Sequence, residues 1–317
     1  MQTLFNQDTS RVLVLGAGLL GCMAARLGDE DGDESAAAWA AVHVDSTELI
    51  ATGLQRKLFL KMGDGPFAQC GLDASLSENA ALLVRLARGR DAVIVCGELS
   101  DAVAVRLIGA LSAALTELGI AVYALVLEPF SPTGQIDSRE LERATDQLAE
   151  QSPFVCTLNP GMENVSAGIA VRRIRKMAAE RLAAACECFA AGLNSSADDV
   201  AQLRALRGFH RAVFARVARV ASGAAVEACE AALRSFSDAE RGRVNAALIS
   251  CGFEISFRET QAIERVISQR SALIATANSA RSGGTDCLLL KGVESASNVV
   301  SISAGFERRA ELMAAAE

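Results

Sequence analysis

Histidine is almost missing from this 317-residue chain, which has only His43 and His210. A metal site built on imidazole therefore lacks ligands, and no metal is expected. Nine cysteines are present, yet none forms a C-x-x-C pair, and Cys186 and Cys188 make only a C-x-C within an expected helix. An odd number at irregular spacing reads as reduced thiols rather than a disulfide framework. No apolar run approaches the roughly 18–20 residues that cross a bilayer. The opening MQTLFNQDTS lacks the basic and apolar regions of a secretory leader. A cytoplasmic protein is the expectation. Basic excess is missing too: 31 Lys and Arg stand against 38 Asp and Glu, a net charge of −7. That balance argues against a broad nucleic-acid surface, which needs clustered cations. The densest basic cluster, RRIRK at 172–176, and the acidic run GDEDGDES at 28–35 read most simply as solvated surface.

What the chain does have is material for burial, with 51% hydrophobic residues and a mean hydropathy of +0.26. Apolar strand candidates at 11–16, 40–45, 91–97, 121–130 and 154–159 alternate with helical patterns at 19–28, 75–89, 101–118 and 138–151. Continuous apolar strands joined by helices predict a parallel sheet covered on both faces. A long Ala- and Leu-rich helix is expected within 163–193, stopped near Gly192 and Asn194. Beyond it, strands at 210–220, 243–253, 272–280 and 286–293 with helices at 224–235 and 258–269 predict a smaller mixed α/β unit. The expected organisation is a nucleotide-type domain over 10–162, the central helix over 163–193, a C-terminal α/β domain over 194–293 and a tail over 294–317.

In a parallel sheet of this kind, ligands sit beyond the carboxyl ends of the strands. The first such loop follows RVLVLGAGLLGC, where Gly16, Gly18 and Gly21 have the G-x-G-x-x-G spacing of a phosphate-cradling turn. Asp45, at the end of the second strand, is placed where a ribose-binding acid would stand. An NAD(P)-binding enzyme is therefore one reading. No histidine–carboxylate pair supplies hydride-transfer chemistry, and the single tyrosine, Tyr123, falls inside a buried strand.

The order of elements and several segments resemble the FtsZ/tubulin family instead. VLGAGLLGCMAARL is similar to that family's first phosphate loop, and WAAVHVDSTEL at 39–49 to its A-V-N-T-D-x-x-x-L segment, with Asp45 at the aspartate. LVLEPFSPTG at 125–134 resembles V-V-T-x-P-F-x-x-E-G, and TLNPG at 157–161 the I-P-N segment, with Asn159 at its asparagine. NAALISCGFEISFRETQAIERVI resembles N-I-x-x-G-x-D-L-x-L-x-E in the second domain. The resemblance spans about residues 10–293. It implies a Rossmann-like nucleotide domain, a long central helix and a mixed-sheet C-terminal domain, with GTP or GDP in the pocket and head-to-tail filaments.

The departures from the pattern bear on function. The family's G-G-G-T-G-T-G loop is replaced by GELSDAVA, in which only Gly97 survives and Glu98 and Asp101 stand where amide donors face an anion. Glycine lets successive amides point inward at phosphate; carboxylates there repel a triphosphate, at a cost on the order of several kcal/mol when desolvated. The same residues also suit an N-cap for the helix at 101–118. Thr133 replaces an acid of the pocket, and the expected arginine aligns near Asp137, with Arg139 close by. Arg172, Arg173 and Arg175 occupy the guanine side of the central helix. The hydrolytic N-x-D-x-x-D loop reads NSSADD, so that Asn194 and Asp199 match but Ser196 replaces an aspartate that would polarise water. The resemblance therefore implies a degenerate GTPase without catalytic residues or resident cofactor, and a remnant pocket at Gly16, Gly18, Gly21, Asp45, Gly97 and Asn159. Self-association would then use Asn194, Asp198 and Asp199 on one surface and Arg139 and Lys61 on the other. The family's C-terminal anchor peptide is not recognisable in the tail, so an adaptor protein or direct contact would carry any membrane attachment at the inner face. A GTP-binding GTPase with diverged loops is the alternative.

Overall fold

A computed structural model of the chain describes residues 10–30, 32, 35–129, 138–160, 170–195, 197–218, 244–252, 258, 261–262, 265–266, 271–279 and 284–292. The first strand, β1 (Val12–Ala17), is buried at every position and leads directly into α1 (Gly18–Asp29). It is followed by β2 (Ala38–His43), α2 (Ser46–Ala51), β3 (Lys57–Phe59), α3 (Ala68–Glu78), α4 (Ala80–Ala87), β4 (Ala92–Glu98) and α5 (Ala102–Glu117). Then come β5 (Ala121–Leu127), α6 (Ser138–Gln151), β6 (Phe154–Leu158), α7 (Val171–Leu193), α8 (Ala197–Ala205) and β7 (Gly208–Ala218). The last described strands are β8 (Val244–Gly252), β9 (Ser271–Ser279) and β10 (Gly284–Gly292).

The strands form one sheet in the order β3-β2-β1-β4-β5-β6-β7-β10-β8-β9. The seven from β3 to β7 run parallel. Strand β10 then lies antiparallel to both β7 and β8, while β8 and β9 are parallel. The α/β fold class read from the sequence is thus observed, with the mixed part made by β7, β10, β8 and β9. The two parts join through β6 and β7, where Phe154 pairs with Gly208 and Leu158 with Ala212. Three details differ from the sequence reading. The three-residue β3 carries too few residues for a periodic signal, the pattern at 75–89 is two helices broken at Asn79, and α8 begins inside the NSSADD segment read as a loop. The segment 224–235 and the tail lie outside the described residues.

Two apolar layers cover the sheet. One contains residues of α1, α7 and α8, including Leu20, Leu182, Phe189 and Leu203. The other contains residues of α3 to α6, including Leu72, Leu83, Leu111 and Leu148. Helix α7 is the central helix, and its second half is buried without interruption from Leu182 to Leu193. Among these residues lies Glu187, only 6% exposed. Its carboxylate accepts hydrogen bonds from the Ser35 hydroxyl, the Ala36 N–H (2.8 Å) and the Trp39 indole (2.9 Å). The Asn194 side-chain amide donates to the Ala36 carbonyl at 2.8 Å. Both backbone groups of Ala36 are therefore held from α7, which fixes the entry into β2 against the end of the central helix.

Candidate functional site

At the carboxyl end of the parallel strands, here called the upper pole, the turns after β1 and β4 lie side by side. Gly18 has a φ of +72°, a left-handed conformation that glycine adopts without strain. Gly16 and Gly21 pack backbone to backbone, since a Cβ on Gly16 would collide with the Gly21 carbonyl. A Cβ on Gly97 would lie 2.7 Å from the Ala17 carbonyl oxygen. The glycines read from the sequence are thus brought together: Gly16 is required by the close packing within the β1–α1 turn, and Gly18, Gly21 and Gly97 by the approach of the two turns to each other. Helix α1 starts here without a side-chain cap and with no acid in its first turn.

The neighbouring turn is occupied by carboxylates. Asp101 caps α5, its Oδ1 accepting the Val103 N–H at 2.9 Å. Its Oδ2 faces Gly18, 2.7 Å from where a Cβ would be built on that glycine. Glu98 ends β4, is half-buried and accepts a hydrogen bond from the Ser100 hydroxyl. Burial raises the Glu98 carboxyl above its ordinary range, and the charge of Asp101 adds to that, while Ser100 and Arg175 act in the opposite direction. A cavity of about 400 Å³ opens beside them, walled by Leu19, Leu20, Met23, Val171 and Ile174 with Ser100 and Arg175 at its polar side. The sequence marked Arg175 as a departure but not as the neighbour of Glu98; no local spacing connects residues on β4 and α7.

Other expected site residues are placed apart. Asp45 is exposed and caps α2, its Oδ1 accepting the N–H groups of Thr47 (2.7 Å) and Glu48 (3.3 Å). Those two backbone bonds hold its carboxyl below the usual range. The D-S-T-E order is itself a capping signal. Asn159 follows β6; its carbonyl accepts the Arg181 Nε–H at 2.9 Å and its N–H reaches the Ala212 carbonyl at 3.4 Å. Lys61 is exposed after β3, its N–H donating to Ser75 Oγ at 2.8 Å, and Arg139 is exposed at the start of α6. Thr133, Asp137 and Ser196 lie outside the described residues. At the opposite, lower pole, Asn194 closes α7 and Asp198 and Asp199 belong to the first turn of α8. Of the two histidines, His43 accepts the Asp45 N–H through Nδ1 at 2.8 Å, and His210 is buried and stacked on Phe154 at 4.8 Å. Among the described residues no group of three metal-ligating side chains occurs, and no helix is long and apolar enough to cross a membrane.

No protein-family model and no curated protein matches the sequence. Solved structures do. An empty FtsZ dimer from M. jannaschii superposes with a TM-score of 0.74 at 18% identity, covering 89% of this chain and 87% of that one. CetZ2 from Haloferax volcanii, in a GTPγS-bound protofilament, matches with a TM-score of 0.65 at 18% identity, covering 96% and 99%. TubZ from the Clostridium botulinum phage c-st matches at 0.62 and 9% identity, covering 90% and 93%. An open α/β sheet with a cavity at its upper pole is the class that architecture and site define. Within that class the chain has the FtsZ/tubulin fold.

Proposed function

We propose that this chain is an FtsZ-like cytoskeletal protein that assembles head to tail without a guanine nucleotide. The supporting observation is the Asp101 carboxylate, which caps α5 and faces Gly18 where the two phosphate-side turns meet. Relatives by fold hold GTPγS, as in CetZ2, or GDP, as in CetZ1. The residues at the corresponding end of this sheet do not fit a triphosphate. Its β- and γ-phosphates would have to approach the Glu98 and Asp101 carboxylates, whose negative charge opposes theirs. The donor that would greet the anion at α5, the Val103 N–H, is already bonded to Asp101. We therefore assign no hydrolytic step and no resident cofactor to the pocket.

Assembly is the function that remains to such a scaffold, and the solved relatives include a dimer and a protofilament. Upper and lower poles are different surfaces, so repeating one contact builds an open polymer rather than a closed pair. In this reading Asp198 and Asp199, beside Asn194, lie at the lower side of the joint, and Lys61 and Arg139 at its upper flanks. The chain would work in the cytoplasm, with an adaptor protein bringing it to the inner membrane face. A second reading, guanine-nucleotide binding, draws on the uncapped start of α1, a position suited to anions. Calorimetry with GTP and magnesium, alongside sedimentation of nucleotide-free protein, decides between them. Polymer without nucleotide and no GTP heat at tens of micromolar protein is the expected result. Micromolar GTP affinity would replace the first reading with the second.

A further inference from the structure

Resting on the reading that the upper pocket takes no guanine nucleotide, we infer that it takes a small zwitterion with an apolar body, of amino-acid or dipeptide kind. The cavity between the β4–α5 turn and the start of α7 carries the argument, because its wall holds charge of both signs. Glu98 ends β4 and Asp101 caps α5 on one side, and Arg175 belongs to α7 on the other. The Arg175 charge acts on Glu98, yet among the described residues no hydrogen bond or ion pair joins the two. Opposite charges line one cavity without closing it.

Each side has an unmet need. Glu98 takes one hydrogen bond, from the Ser100 hydroxyl, and Asp101 uses Oδ1 for the Val103 N–H while its Oδ2 faces Gly18. The Asp101 charge adds to the burial that raises Glu98, and a cation beside them relieves that repulsion. Opposite them, α7 starts after Ala170 without a side-chain cap and with no acid in its first turn. Arg172, Arg173, Arg175 and Lys176 are all exposed there. Cations at a helix N-terminus oppose the helix dipole, so an anion from outside the chain is favoured at this end. Lys176 reaches Glu180 at 3.7 Å, but neither residue lines the cavity.

Between the two sides the wall is apolar, made by Leu19 and Met23 of α1 and Ile174 of α7. A guest of one sign meets only half of this site. A polyanion satisfies the start of α7 and is repelled by Glu98 and Asp101; an organic cation does the reverse. A zwitterion sets its ammonium on the carboxylates and its carboxylate on Arg175, whose guanidinium donates to such a group in pairs. Its apolar side chain then lies on Leu19, Met23 and Ile174. A volume of about 400 Å³ falls at the small end of ligand pockets and suits a molecule of that size.

Calorimetry of the full chain with the dipeptide leucyl-leucine tests the assignment. Half-saturation at about 1 mM or below is expected. N-acetyl-leucyl-leucine lacks the ammonium and leucyl-leucine amide lacks the carboxylate, and each should bind about tenfold or more weakly. Glu98→Gln and Arg175→Gln should each weaken the free dipeptide to a similar extent. Arg175 is exposed, so its variant is expected to fold; where Glu98→Gln does not, the N-acetyl dipeptide reads the same contact on wild type. Half-saturation above about 1 mM overturns the inference. So does an analogue of single charge that binds as tightly as the free dipeptide. Binding that neither substitution alters would put the dipeptide elsewhere and end the proposal as well. Titration with GTP and magnesium separates this inference from the reading beneath it. Micromolar GTP affinity overturns both, while no heat from GTP and none from leucyl-leucine overturns the inference alone.

Discussion

Glu98 and Glu187 are both carboxylates that burial pushes above the ordinary glutamate range, and they sit near opposite ends of the sheet. Their surroundings differ. Glu187 is sealed inside the layer of α1 and α7 and takes hydrogen bonds from a hydroxyl, a backbone N–H and an indole. Glu98 has the Ser100 hydroxyl, a like charge at Asp101, and an open cavity in front of it. A buried anion with its donors matched is part of the scaffold. One left half-exposed beside a second anion contributes little to folding and remains available to a partner. The two ends of the molecule thus separate a structural acid from one that faces a surface.

The sharpest way to break that contrast is truncation of each acid. Glu187→Ala leaves the Trp39 indole and the Ala36 N–H buried without acceptors, so a loss of about 3 kcal/mol is expected in chemical denaturation. Glu98→Ala should change stability by about 0.5 kcal/mol or less, since its one hydrogen bond is exposed to solvent. Comparable losses for both would erase the distinction.

The next expectation concerns pH. Because burial raises the Glu187 carboxyl, the native state keeps its proton to a higher pH than the unfolded chain, whose value is the ordinary 4.5. Between those two values the native state binds more protons, so stability falls as pH rises through that window. Glu187→Gln removes this contribution and should flatten the profile on that side. Trp39, the only tryptophan, donates to this carboxylate and reports the change by its emission. A profile that Glu187→Gln leaves unaltered would show that another acid sets it.

How much of this was readable in the chain depends on distance along it. The glycine turn after β1 was legible because Gly16, Gly18 and Gly21 are a local pattern whose steric need is local. The alternation of β1, α1, β2, β4, α5, β5 and β6 was legible for the same reason. The cap made by Asp101 was also visible, since it acts two residues away. The partnership of Glu187 with Ala36 spans 151 positions, and in the sequence Glu187 is one polar residue in an alanine-rich helix. The joining of β6 to β7 is likewise a pairing between segments separated by the whole of α7 and α8. Asp45 illustrates a different limit: its position at a strand end fits both a ribose acid and a helix cap, and only the bonds to Thr47 and Glu48 separate the two.

A smaller effect sharpens the upper side of the comparison. Asp101→Ala should cost about 1 kcal/mol, the ordinary worth of an N-cap. Asp101→Asn retains an oxygen for the Val103 N–H and should cost a few tenths of that, about 0.3 kcal/mol. Combined with Glu98→Gln, it removes both negative charges from the turn. If charge is what keeps the turn from holding an anion, this double variant should bind inorganic tripolyphosphate about tenfold or more tightly than wild type, read by calorimetry. Equal, weak binding by both would assign the exclusion to shape instead.

A change of similar, small size tests Asn194, which the family resemblance places at the joint and the structure ties to its own chain. Its amide donates to the Ala36 carbonyl at 2.8 Å from an exposed position. A single exposed hydrogen bond contributes about 0.5–1 kcal/mol, and Asn194→Ala should lower stability by that amount. Asn194→Asp should lose somewhat more, because a carboxylate cannot donate to the carbonyl and instead repels it. If the amide works only within its own subunit, association of the alanine variant, compared at equal folded fraction, should stay within about threefold of wild type. A variant of unchanged stability whose association falls tenfold or more would place the Asn194 amide in the joint itself. The lower pole would then depend on this side chain for contact as well as for holding the start of β2.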